Sequence, residues 1–240
     1  MADLLNRLVE LEADIHYKMA PLDGERDFGY DFGRLPIVIS APHGAAHSRN
    51  GALKNEDDYT ASLARLVAEM TGAHALYLSY YSSTDANFDA SAPYKQFLQE
   101  VIKRNRIRFV LDLHGAAAYR DFGLALGTLY GESCPDERPL ILSILKRFGF
   151  QEDAPWLSRL DLDDTFTAIG VEDQETVTRF VSQRLHIPAA QLELNAYLRV
   201  VRRQPDASER DPFRGDPVAI ERTVTMLCAL VRELVRFRRP

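Results

Sequence analysis

Short apolar, β-branched runs alternate with segments of helical period, and this alternation constrains the fold more than any other feature of the chain. The runs PIVISA (36–41), HALYLSY (74–80), RFVLDLHG (108–115) and AAQLELN (189–195) read as strands, and the first and third are apolar enough to be buried on both faces. GLALGTLYG (123–131) reads as a further strand. Apolar positions 59, 63, 66, 67 and 70 predict a helix over 56–71, with Asn55 as N-cap and Gly72 just past its end. The same periodicity predicts helices over 3–14, 93–104, 136–148, 172–185 and 216–238. In the last of these, Arg232, Arg236, Arg238 and Arg239 complement the helix dipole. Residues 20–35 are expected to form a loop or hairpin, while PHGAAHSRNG (42–51) and the Asp-rich stretch 152–164 read as loops. Strands alternating with helices imply an α/β fold with a largely parallel central sheet.

No linker, internal repeat or low-complexity segment interrupts this pattern, so one domain is expected over 1–240. With 46% hydrophobic and 27% charged residues, the chain has ample material for a core, which excludes disorder for most of its length. A net charge of −6 argues against nucleic-acid binding, and the RVVRR cluster (199–203) reads as a solvated turn. No apolar run approaches the ~18 residues needed to cross a bilayer, so no membrane association is expected. The acidic N-terminus (Asp3, Glu10, Glu12, Asp14) does not resemble a signal peptide. Two cysteines, Cys134 and Cys228, build neither a disulfide framework nor a thiolate metal site. A cytoplasmic protein with both thiols reduced and buried is therefore expected.

In α/β sheets, sites form beyond the carboxyl ends of the strands. His43 follows PIVISA directly and His114 ends the run FVLDLHG, and each is followed by a glycine. The acidic trio Glu56, Asp57 and Asp58 stands just after the His43 loop. Its members either stabilise a helix dipole or supply a carboxylate to a metal. Two His and one carboxylate around an open position form a common catalytic zinc set. Spacing alone does not say which of the three acids would serve. Asp112, two residues before His114 on the same strand, points to the same face and is placed to orient a ligand. Glu193 lies on the opposite side of its strand from Leu192 and Leu194 and is either a general base or an edge-strand carboxylate in solvent. Arg49, Asn195 and Arg199 stand near these motifs and could hold a substrate carboxylate. There is no P-loop, no dinucleotide fingerprint, no nucleophile elbow and no H-E-x-x-H.

The ordered set APHG (41–44), NEDDYTASLA (55–64), DANFD (85–89), DLHG (112–115), GT (127–128) and QLELN (191–195) followed by Arg199 resembles the N-formylglutamate amidohydrolases. That family is related to zinc carboxypeptidases and succinylglutamate desuccinylase-like hydrolases. The resemblance spans about residues 36–200. It implies a three-layer α/β/α sandwich with a mixed, largely parallel sheet. It also implies Zn2+ held by His43, Glu56 and His114, Glu193 as general base, and Asn87 among the substrate-binding groups. In the family the asparagine of this motif is usually followed by an arginine suited to a substrate carboxylate. Here Phe88 follows, and Arg49, Arg179 and Arg199 remain as cations for that role. Relatives often carry Ser at Gly44 and Gly115, and the glycine-rich loop before the last strand is reduced to FTAIG (166–170).

The expected activity is zinc-dependent hydrolysis of the amide of a small N-acyl amino acid carrying a carboxylate, N-formyl amino acids among them. Its alternatives are a zinc metallopeptidase or poly-γ-glutamate hydrolase on the same scaffold, and a small-molecule binder without catalysis.

Overall fold

The computed structural model describes residues 2–171 and 174–237. Its centre is a seven-stranded sheet of β1 (Phe28–Asp31), β2 (Ile37–Ala41), β5 (His74–Leu78), β6 (Phe109–Ala116), β7 (Leu124–Gly127), β8 (Leu160–Leu162) and β9 (Ala189–Asn195). A separate hairpin contains β3 (His47–Arg49) and β4 (Ala52–Lys54). In space the sheet runs β1-β5-β2-β6-β9-β7-β8. Strands β5, β2, β6 and β9 are parallel, whereas β1 joins β5, and β7 joins β9, in the antiparallel sense. The central strands are buried along nearly their whole length, as the unbroken apolar runs require when helices cover both faces.

The helices are α1 (Ala2–Ala13), α2 (Thr60–Thr71), α3 (Pro93–Asn105), α4 (Arg138–Arg147), the short turn α5 (Val177–Arg179) and α6 (Pro217–Phe237). Helix α2 lies on β2, β5 and β6, and α1 and α6 pack against it. On the other face, the Tyr94 hydroxyl of α3 meets Ser40 Oγ at 3.0 Å, and Thr178 of α5 reaches Asp112. The result is an α/β/α sandwich with a mixed sheet. Among the described residues no helix is long and apolar enough to cross a membrane. Cys134 and Cys228 are free and buried.

Several expectations need correction. The stretch 20–35 contains β1, which caps the sheet edge, and the Asp-rich stretch contains β8. The loop after His43 holds the hairpin β3–β4, turned by Asn50 (φ 52°) and Gly51 (φ 75°), an Asn-Gly pair of the kind that tight hairpins demand. The strand predicted over 123–131 stops at Gly127, because Leu129 and Tyr130 adopt left-handed backbone around the Asp163 carboxylate, which accepts from the Thr128 and Tyr130 N–H groups. The helix predicted over 172–185 shrinks to α5 and a π-helical turn, Phe180–Arg184, and positions 172 and 173 lie outside the described residues. Arg238 and Arg239 lie outside them too. The cluster 199–203 is no solvated turn: Arg199 and Val200 are buried, and both Arg199 and Arg203 pair with Asp58.

Helix α2 starts at Thr60, and Asn55 does not cap it. Its N-terminus instead meets Glu12 of α1, a fully buried carboxylate that accepts from the Tyr59 N–H at 2.6 Å. Burial pushes the Glu12 carboxyl up to about 7 from an ordinary 4.5, although its hydrogen bonds oppose the rise. A carboxyl raised on folding contributes stability that is complete below its unfolded pKa and is lost as pH rises through the folded value. Wild-type unfolding free energy should therefore fall relative to Glu12→Gln by on the order of 3 kcal/mol between pH 4.5 and 8. Denaturant titrations of both proteins across that range check this, and a constant difference would refute it.

Candidate metal centre and cavity

Three donor atoms converge at the carboxyl ends of β2 and β6. His43, just beyond β2, and His114, on β6, turn their Nδ1 atoms toward each other at 3.1 Å. Asp57 Oδ2 completes the triangle at 3.4 Å from His43 Nδ1 and 3.5 Å from His114 Nδ1. Three donors bound at ~2.0–2.2 Å to one tetrahedral ion stand ~3.3–3.6 Å apart, so these edges fit a single small cation.

The histidines are held from behind. His43 Nε2 donates to Asp85 Oδ1 at 2.9 Å, and His114 Nε2 donates to Asp112 Oδ2 at 3.1 Å. Both aspartates are fully buried. With a ring hydrogen held at each Nε2, both Nδ1 atoms face the centre, where a bound cation would take their lone pairs in place of protons.

The centre is strongly polarised. Burial alone would lower the His43 imidazole, but Asp85 and Asp57 outweigh it and hold the group at about 9; His114 is likewise held high by Asp112 and Asp57. Asp57 is held well below the ordinary carboxylate range by His114 and His43, and Asp85 by His43 and His47, against the effect of burial. So many buried carboxylates call for positive charge between them, from protons or from a cation.

The acid that reaches the centre is Asp57, not Glu56. The Glu56 carboxylate turns away to accept from the Ser208 N–H and hydroxyl. The Asp57 N–H donates to His43 O at 2.8 Å, which ties the acid's own backbone to the first histidine.

Glu193 stands beside His114 in the β6–β9 register, on the same face of the sheet. It is buried, and burial pushes its carboxyl up to about 7. Gln191, two residues earlier on that face, donates to Glu193 Oε1 at 2.9 Å. These groups line a cavity of about 420 Å³ whose opposite wall comes from residues between 165 and 171 together with Gln174 and Thr176.

Arg49 and Asn87 also line this cavity. Arg49 Nε donates to Asp85 Oδ2 at 2.6 Å, the same carboxylate that holds His43. The hairpin turn at Asn50–Gly51 puts His47 and Arg49 on one face, both toward Asp85. Asn87 Oδ1 accepts from Val177 N, fixing α5 to the cavity wall. Two other predicted substrate contacts lie elsewhere. Arg199 is buried against Asp58 and the Leu194 carbonyl, and Asn195 holds the Ala117–Phe122 loop while capping Tyr197. Arg179 braces the wall through the carbonyls of Ile169 and Gln174.

Sequence reasoning missed Asp85 and His47. His43, His47 and Asp85 form a second potential donor group, with the two imidazoles stacked at 4.1 Å. The Arg49 guanidinium already lies on Asp85 and disfavours a cation there. The DANFD motif does contain Asp85, but the contact that gives it a role is tertiary.

No family model matches this chain, and no curated protein matches it by sequence. Solved structures do. The N-formylglutamate amidohydrolase of Ralstonia eutropha is similar over 88% of this chain and 98% of its own, with a TM-score of 0.59 at 15% identity. The chain shares the fold of that enzyme. A gene product of Agrobacterium tumefaciens shows the same architecture over 91% of this chain and 94% of its own, with a TM-score of 0.53 at 13% identity.

The geometry separates the neighbouring acids by experiment. Asp57→Ala should abolish stoichiometric zinc uptake, whereas Glu56→Ala should retain it, as read by elemental analysis of dialysed protein. Asp85→Ala should weaken zinc binding roughly 10- to 100-fold by releasing the His43 ring. Loss of metal from Glu56→Ala with retention in Asp57→Ala would reverse the assignment.

Proposed function

We propose that the protein is a metal-dependent amidohydrolase that cleaves a small N-acyl amino acid, with Zn2+ as its metal. The reading rests on one observation above all: the Nδ1 atoms of two histidines and the Asp57 carboxylate converge next to the buried Glu193 carboxyl. The fold likeness to an enzyme named for N-formylglutamate supports it and points to N-formyl amino acids among the first substrates to try.

His43, Asp57 and His114 would hold the ion, which supplies Lewis acidity toward the scissile carbonyl and lowers the pKa of water. Glu193 accepts a proton from the attacking water as its oxygen bonds to the carbonyl carbon. Glu193 then delivers that proton to the leaving nitrogen as the C–N bond breaks, so a carboxylic acid and an amine leave. A carboxyl poised near neutrality suits both halves of this exchange, and the Gln191 hydrogen bond holds its orientation. Arg49 is the one guanidinium among the described residues lining the cavity, and it receives the substrate carboxylate. Its Nε is fixed by Asp85, and among the described residues its terminal nitrogens have no hydrogen-bond partner. Asn87 borders the same space.

Glu193→Gln should keep its zinc and lose roughly 10²- to 10⁴-fold in kcat on N-formyl and other N-acyl amino acids. A wild-type rate in that variant would remove Glu193 from the mechanism. No turnover of any N-acyl amino acid by zinc-loaded wild type would remove the activity itself.

Arg49→Met should raise KM for substrates with a free carboxylate roughly 10- to 100-fold, the value of one charged hydrogen bond, and leave their carboxamide analogues unaffected. Equal effects on both substrate series would assign the carboxylate to another group.

A further inference from the structure

Glu12 lies on α1, outside the cavity, yet its carboxylate is completely buried. Its Oε1 accepts from the Tyr59 N–H at 2.6 Å and from the Tyr17 hydroxyl, while Oε2 has no partner. A buried carboxylate with an orphaned oxygen is costly, and its retention calls for a reason.

The reason is at Tyr59. This residue is the N-cap of α2 in a left-handed conformation (φ 66°, ψ 1°), and it makes no side-chain cap. An N-cap ordinarily takes extended backbone and offers its own oxygen to the first helical N–H groups. Tyr59 does neither, and left-handed backbone is strained for a tyrosine. Glu12 supplies from a different helix the acceptor that holds this strained residue in place. Its neighbours are fixed as well: Asp57 N–H donates to His43 O at 2.8 Å, Arg199 grips Asp58, and Thr60 N–H returns to Asp57 O at 3.1 Å. The turn is thus clamped at every residue from Asp57 to Thr60, and its first side chain is a donor of the candidate metal centre.

We propose that Glu12 is a positioning residue for that centre: by holding the Tyr59 N–H it fixes the turn that carries Asp57 into the His43–His114 donor set. This rests on the assignment of Asp57 as a metal donor.

The test is zinc affinity, measured by competition with a chromophoric chelator on the full chain. Glu12→Met fills the space without an acceptor and should weaken zinc binding about 10-fold. Glu12→Gln retains an acceptor oxygen for Tyr59 and should stay within about threefold of wild type. Leu8→Ala, which opens the core from the same helix, should lower stability but leave affinity unchanged. Wild-type affinity in Glu12→Met, or an equal loss in Leu8→Ala, would overturn the proposal. If Glu12→Met does not fold, Glu12→Ala takes its place under the same criteria.

The ring ¹⁵N signals of His43 and His114 in metal-free protein give an independent readout, because both rings contact Asp57. They should move in Glu12→Met and not in Leu8→Ala; unmoved signals in Glu12→Met would also overturn the proposal. Wild type that takes up no zinc would defeat the metal reading, and the ring signals would still decide the role of Glu12.

Discussion

The site depends on two buried carboxylates behind two imidazoles. Asp85 and Asp112 each take the Nε2 hydrogen of a histidine, and this selects the tautomer that turns both Nδ1 atoms inward. Without those acceptors the rings would be free to turn their Nδ1 atoms away, and the convergence would be lost. The sheet makes the selection durable, because Asp112 and His114 sit two residues apart on β6 and share a face. Register then adds Glu193 from β9 beside His114 and Gln191 beside Asp112. One face of two parallel strands thus carries His114, the acid that holds its ring, Glu193 and the amide that donates to it.

Against this rigid floor, the remaining parts arrive on loops. The hairpin β3–β4 brings Arg49, the turn before α2 brings Asp57, and residues between 165 and 171 with Gln174 and Thr176 form the opposite wall. Loops carrying reactive groups need anchors, and each has a buried one. Asp85 takes Arg49, Glu12 takes Tyr59, and Lys95 reaches the carbonyls of Asp89 and Glu175. Several buried charges in this protein therefore hold loops to the sheet.

Much of this was legible in the sequence. PIVISA, RFVLDLHG and AAQLELN are apolar enough to announce buried strands, so His43, His114 and Glu193 could be placed at one end of a sheet before any coordinates. The choice between Glu56 and Asp57 was not legible, because it depends on where α2 begins. That start is set by the backbone of Tyr59 and by a carboxylate 47 positions away. Asp85 was hidden for a similar reason, since a polar loop gives no sign of which acid will be buried. Asn195 and Arg199 looked functional by proximity to a motif, but their polarity is consumed in holding backbone carbonyls. The Asn50–Gly51 pair reads in the sequence only as a loop, although Asn-Gly is a common hairpin turn, and the contact of Arg49 with Asp85 is tertiary and was not legible.

That hairpin has a further consequence. Its tight turn and the Arg49–Asp85 contact leave the guanidinium little freedom to travel along the cavity, and Asp85 also grips His43. The Arg49 guanidinium and the His43 ring are therefore mounted on one carboxylate, at a separation set by the skeleton of a single aspartate. Under the proposed function such a mounting works as a ruler that sorts substrates by the span between their scissile carbonyl and their negative charge. Lengthening that span would require rebuilding the support of the histidine as well as the arginine, so the reach of the site and its capacity for chemistry are bound to change together.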